Sequence, residues 1–366
     1  MRRSLALAAL LAGSVLLAGC AGAATGAAEV VDQPALAELK PVSDPRDITG
    51  PSTAILPDSE IEVIDGAGEQ HLPATVTSYT QSGETEQVAV DATERVVAVD
   101  LAGSIAATVW ALGFGDTLVG VDQSTTFPGT EDLVQVTSGG HTINAESVIG
   151  LNPDVVITDG TVGPRDVIEQ LRDVGITVVF VDNAASFEGA QDLARQVAAV
   201  YGSPEAGEEL AERIATDVEA TTAEIARLVP TDDADRVRMV FLYLRGNAGV
   251  YYMFGEESGA DDLIDALGGV DVAGELGWQG MRPMTDEALI AADPELIITM
   301  TGGLESTGGV EGLLEAKPAV SLTAAGQHER IVDMDDGAVL SFGPRSAEVI
   351  EALARAIYAP ESVTAE

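Results

Sequence analysis

Tyr243 and Arg245 stand two residues apart in VFLYLRG, residues 240 to 246. Val240, Phe241, Leu242 and Leu244 read as a buried strand ending at Gly246. Strand side chains alternate between faces, so a phenol and a guanidinium leave the same side of an otherwise apolar element. A free phenol has a pKa of about 10, and a permanent cation beside it favours the anion. Plainer roles are open to both residues. Tyr243 can be a core tyrosine with a satisfied hydroxyl, and Arg245 the partner of a surface acid. Tyr251 and Tyr252 follow closely and compete for any role that needs a phenol. His141 lies in the Gly-flanked SGGHTIN, 138–144, while His71 and His328 read as surface residues.

Other chemistry is missing. There is no Gly-x-Ser-x-Gly elbow and no HExxH metal motif, the usual marks of a serine hydrolase or a zinc protease. The one cysteine, Cys20, lies outside the part expected to fold, so the chain reads as a non-enzyme. The formal charge of −42, from 18 basic and 60 acidic residues, excludes nucleic acid as a partner, since phosphates need Lys and Arg to neutralise them.

The amino terminus reads as a secretory leader. Arg2 and Arg3 precede the apolar SLALAALLAGSVLLAG, which ends at Leu17-Ala18-Gly19-Cys20 and is short for a membrane span. A cysteine at the small-residue cleavage position resembles a bacterial lipobox. The resemblance implies that Cys20 is lipidated and anchors the chain to a membrane without spanning it. Residues 21–58, rich in Ala, Gly, Pro, Ser and Asp, read as a tether.

From Arg95 onward, short apolar runs alternate with helical segments, the pattern of parallel βαβ units. RVVAVD, TLVGVD, DVVITDG and ITVVFVD read as strands of one lobe; VRMVFLYL, PELIITM and RIVDMD as strands of a second. Between them runs SPEAGEELAERIATDVEATTAEIARLVP, with Ser203 as N-cap, Pro204 at the first helical position and Pro230 beyond the end. It reads as one long helix joining two lobes. The expected organisation is a leader at 1–19, a tether at 20–58, an α/β lobe at 59–203, the connecting helix at 204–229 and a second α/β lobe at 230–366. A weak internal repeat aligns NAESVIGLNPDVVIT (144–158) with TDEALIAADPELIIT (285–299) without gaps. Each copy carries a glutamate, Glu146 or Glu287, seven residues before a proline. Two equivalent acidic points, one per lobe, suit a partner with two-fold symmetry.

The lipobox, the two lobes on one long helix, SIAATVWALGFGDTLVGVDQSTTFP and the paired glutamate segments resemble the substrate-binding proteins of metal-chelate ABC transporters, which carry cobalamin, ferric siderophores and hemin. The resemblance runs from about Arg95 to Tyr358. Within that family, SGGHTIN and the Tyr-x-Arg of FLYLRG are similar to the hemin-binding lipoproteins of actinobacterial uptake systems, the HmuT type. It implies a fold of two Rossmann-like lobes with the ligand cleft between them, and ferric hemin (heme b) as transported ligand. His141 and Tyr243 would be the axial iron ligands, with Arg245 hydrogen-bonded to the tyrosine. Tyr252, Met281, Arg282, Met284 and Arg345 would be further heme contacts, with plainer roles open to the methionines as core filler and to Arg345 at a helix entry. Glu146 and Glu287 would touch basic residues of a permease dimer. Implied too are a monomer anchored at the extracytoplasmic face and heme-donor surface proteins upstream. A ferric siderophore or cobalamin is the alternative cargo.

Overall fold

The computed structural model describes residues 33–363 apart from 41, 58–59, 66–68, 80–83 and 140, and apart from the side chains of Arg165 and Glu169. Cys20 and the leader lie outside the described residues. Two lobes form, each a largely parallel sheet with an apolar layer on either face. In the first lobe the strand order is Thr177–Phe180, Val155–Thr158, Val96–Val99, Leu118–Val121 and Val134–Gln135, all parallel. Its central strands read VVAV and VVIT because both of their faces are buried. Ahead of these strands the chain forms an antiparallel hairpin, Ala74–Tyr79 with Thr85–Val90.

The second sheet runs Ser52–Ala54, Ile331–Met334, Leu296–Met300 and Arg238–Arg245 in parallel. It is extended antiparallel by Val250–Phe254 and Met281–Pro283, two strands not anticipated from sequence. The connecting helix is Pro204–Ile225, 22 residues, or about 33 Å at 1.5 Å per residue. Leu210, Ala211 and Ile214 at its start belong to the core of the first lobe, and Ile225 at its end to that of the second.

The segment expected to be a tether departs from that reading. Leu36 is buried in the core of the second lobe. Ser52–Ala54 pairs with Ile331–Met334 as the edge strand of the second sheet, and the Arg330 guanidinium donates to Gly50 O and Ser52 Oγ. Farther on, Ile61 and Ile64 pack into the first lobe, where Ile64 N–H donates to Ala111 O. The chain thus enters through the second lobe and crosses to the first, a second covalent link beside the long helix. Isolated apolar residues and a three-residue strand leave no periodicity for a sequence reading to detect.

The internal repeat is structural. Ala145–Leu151 and Asp286–Ala292 are seven-residue helices. Asn144 and Thr285 cap them, accepting from the N–H groups of Ser147 and Ala288, and both end on a left-handed residue, Asn152 or Asp293. The match runs on. Asp154 accepts from Arg95 N–H and Glu295 from Arg238 N–H. Each arginine begins or immediately precedes the central strand of its lobe, and its guanidinium returns to the last helix carbonyls, Leu151 and Asn152 or Ala292.

Candidate ligand-binding cleft

In open α/β sheets ligands bind beyond the carboxyl ends of the strands, and here those ends meet across the lobes. Ser104 Oγ lies 3.3 Å from Ser341 Oγ, and Phe187 N–H donates to the Asp262 carboxylate. Gly337 approaches Ser124 so closely that an added Cβ would lie 2.7 Å from its carbonyl oxygen.

Tyr243 and Arg245 lie near the end of the Arg238–Arg245 strand, both half-buried. Register places Tyr252 opposite Tyr243, then Pro283 opposite Tyr252; the next row holds Phe241, Phe254 and Met281. The Tyr243 ring meets Tyr252 edge-on and Phe254 face-on, each at 6.4 Å between centroids. This makes an aromatic face with the exposed Met281 at its rim. Tyr243 and Arg245 do share a side, as the alternation predicts. The contact between them differs from expectation: the guanidinium carbon lies over the tyrosine ring, 4.4 Å from its centroid, and no hydrogen bond to the hydroxyl forms among the described residues. Arg245 is held there by Leu244 O at 2.8 Å and by the Asp336 carboxylate at 3.1 Å.

Three expected contacts fall elsewhere. Met284 is buried with Leu242, Leu244 and Met253 in the apolar layer on the opposite side of the sheet. Arg282 pairs with Met253, so alternation puts it on that opposite side too. Arg345 donates to Glu348 and to Pro57 O at the entry to the Ser346–Tyr358 helix. It lines a cavity of about 410 Å³ that also reaches Ser124, Asp335 and Gly337 but is lined by none of His141, Tyr243 and Arg245. Tyr251 is likewise removed as a rival ligand, for it lies opposite the buried Leu244 with Lys317 Nζ 4.2 Å from its ring centre.

His141 occupies the turn of a small hairpin, Thr137–Ser138 with Thr142–Ile143, in the left-handed region at φ 61°. Burial, and then the charge of Arg245 from the facing lobe, hold its pKa below the ordinary histidine value, which favours the neutral imidazole. Gln123 Nε2 lies 3.2 Å from His141 Nε2, while Nδ1 is buried with no hydrogen-bond partner among the described residues. His71 and His328 are exposed, as expected.

Beneath Gln123 lies a network of buried acids. Asp100 accepts from the N–H groups of Ala102, Ser104 and Ile105 at a helix entry. Asp122 accepts from Asp100 N–H, Ser124 N–H and the Thr125 hydroxyl. Burial, then the charges of Asp122 and Asp159, hold Asp100 well above the usual carboxylate range, and burial pushes Asp122 up to about 6. Sequence reasoning missed Gln123, Asp336 and this network. The available signal was position, since all follow strand ends in GVDQS, VVAVD and VDMDDG.

The sequence model of one family, described as periplasmic binding protein, matches residues 96–338. A Bacillus subtilis protein, the uncharacterised ABC transporter substrate-binding lipoprotein YvrC, is 29% identical over 71% of this chain and 79% of its own length. A cobalamin-binding protein of Halobacterium salinarum is 26% identical over 85% of this chain and 81% of its own. Among solved structures, the heme-binding protein HmuT superposes with a TM-score of 0.79 at 38% identity, covering 87% of this chain and 100% of its own. It has also been solved with a histidine, a tyrosine or an arginine replaced by alanine, the last two being two positions apart. The periplasmic heme-binding protein RhuT of Roseiflexus sp. RS-1 superposes with a TM-score of 0.66 at 34% identity, over 74% of this chain and 99% of its own.

Proposed function

Since this chain belongs to the periplasmic binding protein family, we propose that it captures ferric hemin outside the cell membrane and delivers it to an ABC-transporter permease. The chain is a substrate-binding component of such a transporter, not an enzyme. The observation that carries the hemin reading is the facing arrangement of the cleft. An aromatic face with Tyr243 under a fixed guanidinium stands on one lobe, and His141, its pKa lowered by burial and by that same guanidinium, stands on the other.

Those residues fit the cargo. Ferric heme iron takes hard anionic oxygen, and a tyrosinate supplies it. Arg245 sets a fixed positive charge over the Tyr243 ring, and Asp336 fixes where that charge sits. The unpartnered His141 Nδ1 marks a ring with unused ligating capacity. The aromatic surface suits a flat apolar plate. Support also comes from HmuT, where a tyrosine and an arginine stand at the same spacing.

A corrinoid is the second reading, favoured by the Halobacterium cobalamin-binding relative. Such a ligand needs no tyrosinate. The experiment is a pair of absorption titrations, one with hemin and one with cyanocobalamin. Saturable hemin binding with a phenolate-to-iron charge-transfer band supports the proposal; tight cobalamin binding with no hemin spectrum overturns it.

In the same reading Cys20 is lipidated after removal of residues 1–19, Glu146 and Glu287 meet the permease dimer, and the chain is a monomer. Cys20→Ala should release the protein from the membrane fraction or leave it unprocessed.

A further inference from the structure

We propose that each lobe docks through a glutamate–isoleucine pair, Glu146 with Ile149 and Glu287 with Ile290, onto a two-fold-symmetric permease offering a cation and an apolar recess at each of two equal sites. The inference rests on the reading of the two glutamates as docking points and adds an apolar contact to it.

The two repeat helices bury the same central position. Val148 and Leu289 face inward, and Ile143 and Met284 are buried just before the caps. Such agreement follows from packing. The exposed positions have no such reason to agree, and most do not: Asn144 against Thr285, Gly150 against Ala291, Asn152 against Asp293. Glutamate and isoleucine are the two exposed identities the helices share. Ile149 is 41% exposed and Ile290 43%, each three residues after its glutamate and so beside it on the helix surface. One exposed isoleucine is ordinary. The same one at the same point of both lobes, beside an acid with no ion-pair partner among the described residues, is a surface that two equal sites can read.

Charge selects the partner. With 60 acidic against 18 basic residues, a second copy of this chain or an anionic bilayer repels these points, and a basic protein surface attracts them. The two members of each pair then divide the work. The acid steers the encounter and is screened by salt. The isoleucine, once covered, prolongs the complex and is insensitive to salt.

The test uses the full chain, loaded with hemin, and the permease–ATPase complex of its own transporter in lipid nanodiscs. Ile149→Ala with Ile290→Ala keeps the helices, because alanine is a better helix former than isoleucine. It should speed dissociation by about tenfold or more and leave the salt dependence of association unchanged. Glu146→Gln with Glu287→Gln should flatten that salt dependence. Unfolding temperature and hemin spectrum should stay as in the unaltered chain for both. If the isoleucine variant dissociates as slowly as the unaltered chain while the glutamine variant is impaired, the inference falls and the docking reading stands. If neither variant changes binding, the docking reading falls and takes the inference with it. Loss of thermal stability or hemin binding in the isoleucine variant makes those residues structural and overturns the inference.

Discussion

The Arg245 guanidinium carbon lies over the Tyr243 ring rather than at its hydroxyl, 4.4 Å from the ring centre. The phenolic oxygen is therefore free of the cation's hydrogen bonds and open to a metal, while still within its field. A charge over the ring face also reaches the histidine across the cleft.

Tyr243→Phe keeps the ring packing against Tyr252 and Phe254 and removes only the oxygen. It should abolish the charge-transfer band and weaken hemin binding by more than about tenfold, the low end of what outer-shell partners cost at metal sites. Tyr251→Phe, beneath Lys317 on the other side of the sheet, should leave the spectrum untouched. An unaltered spectrum in the Tyr243 variant would sink the ligand assignment.

Arg245→Ala has two separate readouts. In the ligand-free protein the His141 pKa should rise toward its ordinary value but stay below it, because burial, the larger cause, remains. A proton NMR titration of the imidazole measures this without hemin. In the loaded protein the Tyr243 ring loses the cation that lies over it, so hemin binding should weaken; unchanged hemin affinity would contradict the role.

Asp336→Asn is expected to act in the opposite sense. It keeps a single carbonyl oxygen, so only one of the two donors Asp336 now accepts from, Arg245 on one oxygen and Gly302 N–H on the other, retains its acceptor, and it removes the negative charge. The field at Tyr243 and His141 becomes more positive. The His141 pKa should fall further. Stability should change little, about 0–1 kcal/mol, since the ion pair is partly exposed. A His141 pKa that rises instead contradicts this role.

The buried acids set a stability profile. Asp122 has a folded pKa of about 6, against about 3.9 unfolded. The native state therefore binds this proton first as pH falls. Its contribution is fully present below about 4 and is lost as pH rises through 6, a difference of up to about 3 kcal/mol. Asp122→Asn should make the unfolding free energy in urea less dependent on pH between about 4 and 6. An unchanged slope would place the proton elsewhere.

Much of this was legible because it is periodic. Parallel strands buried on both faces leave runs such as VVAV, and the long helix shows a proline at its first position and a sustained apolar stripe, although Ser203, expected to cap it, donates its hydroxyl to Glu69 O instead. Two-residue alternation was enough to put Tyr243 and Arg245 on one side. It was equally able to separate Tyr252 from Tyr251 and Met281 from Arg282, but only once strands at Val250–Phe254 and Met281–Pro283 were known, and short strands beside Gly and Pro give weak signals. Gln123 and Asp336 were hidden for another reason. Their roles lie in contacts between segments 18 and 91 residues apart, which no local pattern encodes.

The edge strand Ser52–Ala54 and the docked Leu36 also fix how far the protein roams. If Cys20 holds the lipid, only thirteen peptide steps separate the membrane from Gln33, the first described residue. Thirteen extended steps reach at most ~45 Å, less than the ~50 Å breadth expected of a compact chain of this length. A leash running to residue 58 would have been nearly three times as long. On that reading the receptor would be moored close to the bilayer, and finding a permease would be a matter of drifting in two dimensions and turning in place.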